Sequence, residues 1–280
     1  MRRYYYLIAS LPEVILHGET KGMPLDEFLD FCEAELHPLD FKNLKMMYIF
    51  QDIKNAVYFK SEEDFYHTPS YYSKEEFLEN IKDSSDFLPF LSDYFFLRKE
   101  GKRLFPKMIE IDELTYLFYE SLEELDVYPF VKRYYTDIEL VLKNISSAMV
   151  MRHKNKFEEE KLIPFGEYYE RIVKSSSADM GFAIEFPFIE KMNDALHKND
   201  LVGFEEIIEN ARWEMLDLLV GDDFFAVTNV FAIGVKLFSV ERWKKLSPEK
   251  GKERLDELLA SFKARISFPP EFQRIKGSVK

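Results

Sequence analysis

Glycine and cysteine are the two residues this chain has least of. Ten of 280 residues are glycine, about half the share in an average soluble domain. Tight turns that need a positive φ are correspondingly few. The sequence is instead rich in charge (32%) and in apolar groups (46%, with 16% aromatic). That balance argues against an all-β sandwich, a collagen-like chain or disorder, and favours amphipathic helices. The lone Cys32 excludes an intramolecular disulfide and any multi-cysteine zinc or iron–sulfur site. Such usage fits a reducing compartment. No two glycines lie closer than four residues, so the close backbone approach of a phosphate-binding loop is missing. Nucleotide binding through such loops is not expected.

Basic residues are also in deficit, and unevenly. The net charge is −13. Residues 1–140 hold 16 Lys and Arg against 28 Asp and Glu, net −12, whereas residues 141–280 hold 22 against 23, net −1. An acidic half repels phosphate backbones, which argues against a nucleic-acid partner. A basic protein surface is the physical alternative to plain solubility.

The apolar pattern is helical along most of the chain. Residues 4–11 form a short aromatic and aliphatic run, ambiguous between an extended segment and a buried helix. It is short for a signal-peptide core, lacks Ala-x-Ala cleavage chemistry, and reads as part of a mature, cytoplasmic protein. A polar turn from Gly18 to Gly22 precedes a helix opened by Pro24. Pro38 starts another, with Leu39, Leu44, Met47, Tyr48 and Ile53 inward. Residues 60–72 read as a loop. Ser73-Lys74-Glu75-Glu76 is a capping box. Leu88 to Leu97 is apolar, and 99–107 is a basic connection. A helical run from Ile111 reaches Pro129. Tyr134, Ile138, Val141, Ile145, Met149 and Arg152 then form a stripe five turns long. Lys154 to Lys161 is a charge run. Phe165 to Val173, Ile184 to Leu196 and Phe204 to Leu219 are three more helices. Asp222 or Asp223 is expected to cap the next. That helix, Phe224 to Val240, is apolar but short for a membrane span and carries Lys236 inside; it reads as a core helix. Ser247-Pro248-Glu249 opens a last helix before Phe268-Pro269-Pro270, followed by a basic tail from Arg274. No strand alternation or βαβ rhythm is evident. The chain is therefore expected to be all-α, a multi-helix bundle or funnel of about nine to eleven helices. It reads as one helical subunit over 1–280, with sub-bundles near 1–107 and 108–280. A short echo links Asp52-Ile53-Lys54-Asn55 to Asp137-Ile138 and Lys143-Asn144, at a similarity that chance supplies.

Reaction chemistry is hard to find. Asp194-Ala195-Leu196-His197 imitates half of a bundle di-iron motif, but no Glu-x-x-His pair exists to complete it. Cys32 sits among Phe28, Leu29 and Phe31, an environment that makes a thiol inert. No Gly-x-Ser-x-Gly elbow occurs. No catalytic, cofactor or metal residue is assigned. The informative residues are polar groups inside apolar helices. Arg152 ends the long stripe, and Lys143 and Asn144 lie within the same helix. Arg212-Trp213 and Arg242-Trp243 each set a guanidinium beside an indole, as a buried cap, a snorkelling side chain or a cation–π contact. Such groups can also shape the subunit-facing surface of an assembly.

Three segments together carry a resemblance. They are Tyr4-Tyr5-Tyr6-Leu7-Ile8-Ala9-Ser10-Leu11-Pro12; Asp137-Ile138-Glu139-Leu140-Val141-Leu142-Lys143-Asn144-Ile145 through Arg152; and Trp213-Glu214-Met215-Leu216-Asp217-Leu218-Leu219 followed by Phe224 to Val240, Glu241-Arg242-Trp243-Lys244-Lys245-Leu246 and Gly251. In order and spacing the chain resembles a bacterial family encoded with V/A-type ATPase genes, itself similar to the ATPase C subunit (subunit d of the eukaryotic enzyme). Only 153–200 has no counterpart. The resemblance implies an all-helical, funnel-like central-stalk subunit that turns with the rotor. It would couple the central shaft to the membrane proteolipid ring, peripheral to the membrane on its cytoplasmic face, without nucleotide, cofactor or catalysis. The interface candidates it implies are Asp137, Asn144, Arg152, Arg212, Trp213, Asp217, Lys236, Arg242 and Trp243. A helical adaptor unrelated to the ATPase and a helical-bundle metalloenzyme are the competing expectations.

Overall fold

The computed structural model describes residues 2–16, 23–59 and 65–245. The Gly18–Gly22 turn, the Ser247 cap, the helix after it, Gly251 and the basic tail lie outside the described residues. The fold is all-α. Among the described residues there are twelve helices, counting the unbroken rod over 129–153 as one, ten of them of seven residues or more, and no strand beyond one isolated Arg3–Ala226 bridge.

In chain order they are α1 (Tyr5–Ser10), α2 (Leu25–Glu35), α3 (Pro38–Met46), α4 (Ile49–Tyr58), α5 (Lys74–Lys82), α6 (Pro89–Lys99) and α7 (Glu110–Ser121). A continuous rod follows over 129–153, made of α8 (Pro129–Arg133), a π turn (Tyr134–Glu139) and α9 (Leu140–His153). Then come α10 (Tyr169–Lys174), α11 (Phe188–His197), α12 (Leu201–Val220) and α13 (Val227–Lys245). The Ser73/Glu76 capping box forms as expected. One hydrophobic core runs from Leu7 to Leu237. The α12–α13 pair sits in its middle: α13 packs on α2 and α3, and α12 on α11 and the π turn. Val227, Val230, Phe231, Val235 and Leu237 of α13 are all buried, as expected of a core helix apolar on most sides. Its Gly234 faces α2 and α3, where an added Cβ would lie 2.6 Å from the Tyr48 hydroxyl. No helix of the described residues is long and apolar enough to cross a membrane.

Four boundaries differ from the expected ones, for physical reasons. The helix opened by Pro38 breaks at Met47–Tyr48, where both N–H groups make three-residue turns to Leu44 and Lys45. The Met46 carbonyl is taken by the Tyr135 hydroxyl at 2.7 Å. The apolar helix α13 starts at Val227 rather than Phe224. Before it, the N-terminal segment pairs with this turn: Tyr4 N–H donates to the Phe225 carbonyl (2.8 Å) and Val227 N–H to that of Arg2 (3.1 Å). The Asp223 carboxylate is not a cap; it pairs with Arg3 at 3.1 Å. The helices expected from Phe165 and Ile184 begin at Tyr169 and Phe188, and Ile184 is 98% exposed.

Loops are held by side chains from neighbouring helices. Buried Asn144 brackets one residue, accepting from Ile163 N–H at 3.0 Å and donating to its carbonyl at 2.9 Å. Asn55 does the same to His67, at 2.7 and 3.0 Å. The two asparagines of the echo thus do one job in two places. Glu113 accepts from the N–H groups of Leu104 and Phe105. Asp52, fully buried, accepts from Tyr71 and Tyr72 at 2.7 and 3.1 Å. Asp40, equally buried, accepts from Arg2, Tyr4 and Tyr128, which ties the N-terminus to α3.

Two outcomes follow. Asn144→Ala strands a buried N–H and a buried C=O, and should cost about 2–4 kcal/mol, read as a lower urea midpoint with unchanged slope. Burial raises the Asp52 carboxyl to about 7, against the two backbone N–H bonds that lower it. The folded chain then holds a proton that the unfolded chain releases between pH 4 and 7. The Asp52 contribution is complete below pH 4 and is lost as pH rises through 7, by up to about 4 kcal/mol. Urea titrations across that range should show this loss in the parent and not in Asp52→Asn.

Candidate functional site

The most concentrated chemistry is a buried charged seam where the π turn, α12 and α13 meet. Glu209 of α12 has no exposed surface. Its carboxylate accepts from Arg212 Nη1 at 2.6 Å, from Arg242 Nη2, and from the Ser239 hydroxyl. Arg212 turns its other edge to Glu139, with Nε–Oε1 at 2.7 Å and Nη2–Oε2 at 3.4 Å. The Tyr134 hydroxyl donates to the same Glu139 oxygen at 2.6 Å. Residues i and i+5 lie about 140° apart around an α-helix. A π turn hydrogen-bonds at i+5 and brings them onto one face, so the Tyr134–Glu139 contact requires that turn.

The charges sustain one another. Burial would lower the Arg212 pKa, but Glu139 and Glu209 together raise it. Burial would raise that of Glu209, yet Arg212, Arg242 and Ser239 bring it below the ordinary value. Burial and the Glu139 charge push the Tyr134 hydroxyl far up, so it acts as a donor. Lys54 of α4 lies beside the seam. Burial and repulsion from Arg242 lower its pKa, with Glu139 opposing.

The structure gathers some of the expected interface residues and separates others. Arg212 and Arg242 meet on Glu209. Trp213, Asp217 and Lys236 form a second group: Lys236 Nζ is 2.5 Å from Asp217 and 5.0 Å from the Trp213 ring centroid. The cation over that indole is thus Lys236 rather than the adjacent arginine. The Trp213 Nε1–H has no hydrogen-bond acceptor among the described residues. Trp243 is half-buried on α13. Asp137 is exposed and accepts from Arg133 at 3.0 Å. Asn144 is an internal bracket. Arg152 donates to the carbonyls of Ile172 and Ser175 (both 2.6 Å) and Ser177 (3.1 Å), closing the end of α10. The anions Glu139 and Glu209 escaped sequence reasoning. The one signal was Glu209 three residues before Arg212 on an apolar helix, a spacing shared by many solvated pairs.

Reactive groups are kept idle. Burial raises the Cys32 thiol to about 12. His197 faces His153 at 5.6 Å between ring centroids, and no group of three or more His, Cys, Asp or Glu that could hold a metal occurs among the described residues. At the surface, Tyr5 and Phe225 rings lie 4.7 Å apart, and Tyr5, Tyr6, Phe224 and Phe225 are all exposed.

The seam should fail as a unit. Glu209→Ala leaves Arg212 and Arg242 short of a buried counterion and should cost about 3–5 kcal/mol by chemical denaturation. Arg242→Ala, whose side chain is 42% exposed, should cost clearly less. No curated protein and no solved structure matches the chain. A family model matches residues 1–266: the chain belongs to the family described as "Protein of unknown function (DUF2764)".

Proposed function

We propose that the protein is a non-catalytic rotor subunit of a V/A-type ATPase, peripheral to the cytoplasmic face of the membrane, coupling the central shaft to the proteolipid ring. The observation that carries this reading is the order and spacing of the three sequence segments that resemble a bacterial family encoded with V/A-type ATPase genes, itself similar to that ATPase's C subunit. Their internal residues support it by what they are used for. Tyr4 ties the N-terminus to Asp40. Asn144 and Arg152 hold the backbone near 163 and 172–177. Arg212 and Arg242 clamp α12 to α13 through Glu209. A body that transmits torque must resist internal slip, and buried ion pairs that penalise separation of their helices oppose such slip.

The exposed Tyr5, Tyr6, Phe224 and Phe225 give this reading a contact surface, since aromatic side chains are enriched at protein interfaces. Affinity capture of the tagged full chain from detergent-solubilised native membranes tests it. Central-shaft and proteolipid subunits should co-purify, and Tyr6→Ser with Phe224→Ser should weaken their recovery without lowering the melting temperature. Recovery of the chain alone, with the ATPase fully assembled in its absence, overturns the proposal. A consistent set of unrelated partners would instead favour the helical adaptor.

A further inference from the structure

Among the described residues, Lys54 presents an ammonium without an ion pair; Glu139 favours its charged form only from beyond contact distance. Every other cation around it is paired. Arg212 is held by Glu139 and Glu209, Arg242 by Glu209, and Lys143 by Asp112 at 3.0 Å. Lys54 Nζ has one hydrogen bond, to Gln51 Oε1 at 3.3 Å, and no carboxylate within 4 Å among the described residues. Two hollows of about 300 and 160 Å³ share Phe50, Lys54, Glu139 and Arg212 in their walls. The larger one has an apolar floor of Ile53, Ile111, Leu142, Ile163 and Ile208.

We propose that the larger cavity binds a small monocarboxylate with an apolar body, its carboxylate on Lys54 and its body on that isoleucine and leucine floor. A half-buried ammonium with one long hydrogen bond and no ion pair is a costly arrangement. Burial and Arg242 already depress its pKa, and an anion from outside reverses that penalty. Charge-assisted bonds of this kind are roughly twice as strong as neutral ones. Three carboxylates also line the cavity: Asp112 paired with Lys143, Glu139 paired with Arg212, and exposed Glu205. They restrict the ligand to one negative charge and disfavour phosphates and nucleotides. The inference does not depend on the ATPase reading.

Calorimetric titration of the full chain with sodium octanoate tests it, with octanol as the uncharged control. Octanoate should bind at one site, and octanol at least about tenfold more weakly. Lys54→Met should weaken octanoate by a similar factor while its melting temperature stays at or above the parent's. Thr115→Trp, which fills the cavity from α7, should also block binding. It provides a test if Lys54→Met does not fold. On the unsubstituted chain carrying 13C-methylated lysines, the Lys54 signal should move with octanoate. Equal affinity for octanoate and octanol, unchanged binding by Lys54→Met and Thr115→Trp, or movement confined to other lysines overturns the proposal. So does the absence of saturable binding below about 10 mM.

Discussion

The carboxylate of Glu209 is the point on which the C-terminal half of this fold depends. A fully buried anion on a helix is tolerable only where cations and donors surround it. Here they come from Arg212 on its own helix and from Ser239 and Arg242 on the next. Arg212 then has to be neutralised further, and Glu139 does so from a third segment. Glu139 reaches it together with Tyr134 because the rod of 129–153 opens into a π turn at that level. An irregular backbone, a buried acid and two arginines are thus consequences of one another. Such a seam is weak evidence for added stability, since apolar replacement of all its members can do as well. What it does is tie α12, α13 and the rod to one another through a single set of charges.

The same economy runs through the loops. A helical protein poor in glycine has few residues that turn the chain at low cost. The connections are therefore shaped from outside. Asn55 and Asn144 each occupy both backbone groups of one loop residue; Asp52 and Glu113 each take two successive N–H groups; Arg152 takes three carbonyls. Each device pairs backbone groups that no helix ladder satisfies. The scarcity of glycine and the abundance of polar residues inside apolar helices are two sides of one solution.

What the sequence made legible divides along that line. Periodicity located the long helices, the Ser73 capping box and the burial of α13, because these depend on local spacing. It ran Pro38 through Ile53 as one helix, because the break at Met47 rests on a hydroxyl from Tyr135. It began α13 at Phe224, because the start at Val227 rests on backbone bonds from Arg2 and Tyr4. The candidate residues divide in the same way. Arg212 and Arg242 stood out as charges on apolar helices. Their shared anion did not, since Glu209 has the spacing of an ordinary surface pair. The π turn left no trace in the apolar stripe, which continues through it.

Charge shows how far folding rewrites composition. The −12 of residues 1–140 reads as an acidic face. Yet Asp40, Asp52, Asp112 and Glu113 are buried, and the Glu139 side chain is only 13% exposed. Two of these acids are neutralised by the other half of the chain, Asp112 by Lys143 and Glu139 by Arg212. Part of the contrast between the halves is therefore spent inside the molecule, binding one half to the other. The remaining surface charge is screened within about 8–10 Å at physiological salt. It can bias the approach of a partner but supplies little short-range specificity. That burden passes to surfaces with shape and apolar area, and the aromatic group where the N-terminus meets the α12–α13 turn is such a surface. Tyr4, Arg2 and Arg3, which lash that segment down, thereby also fix the orientation of the rings it displays.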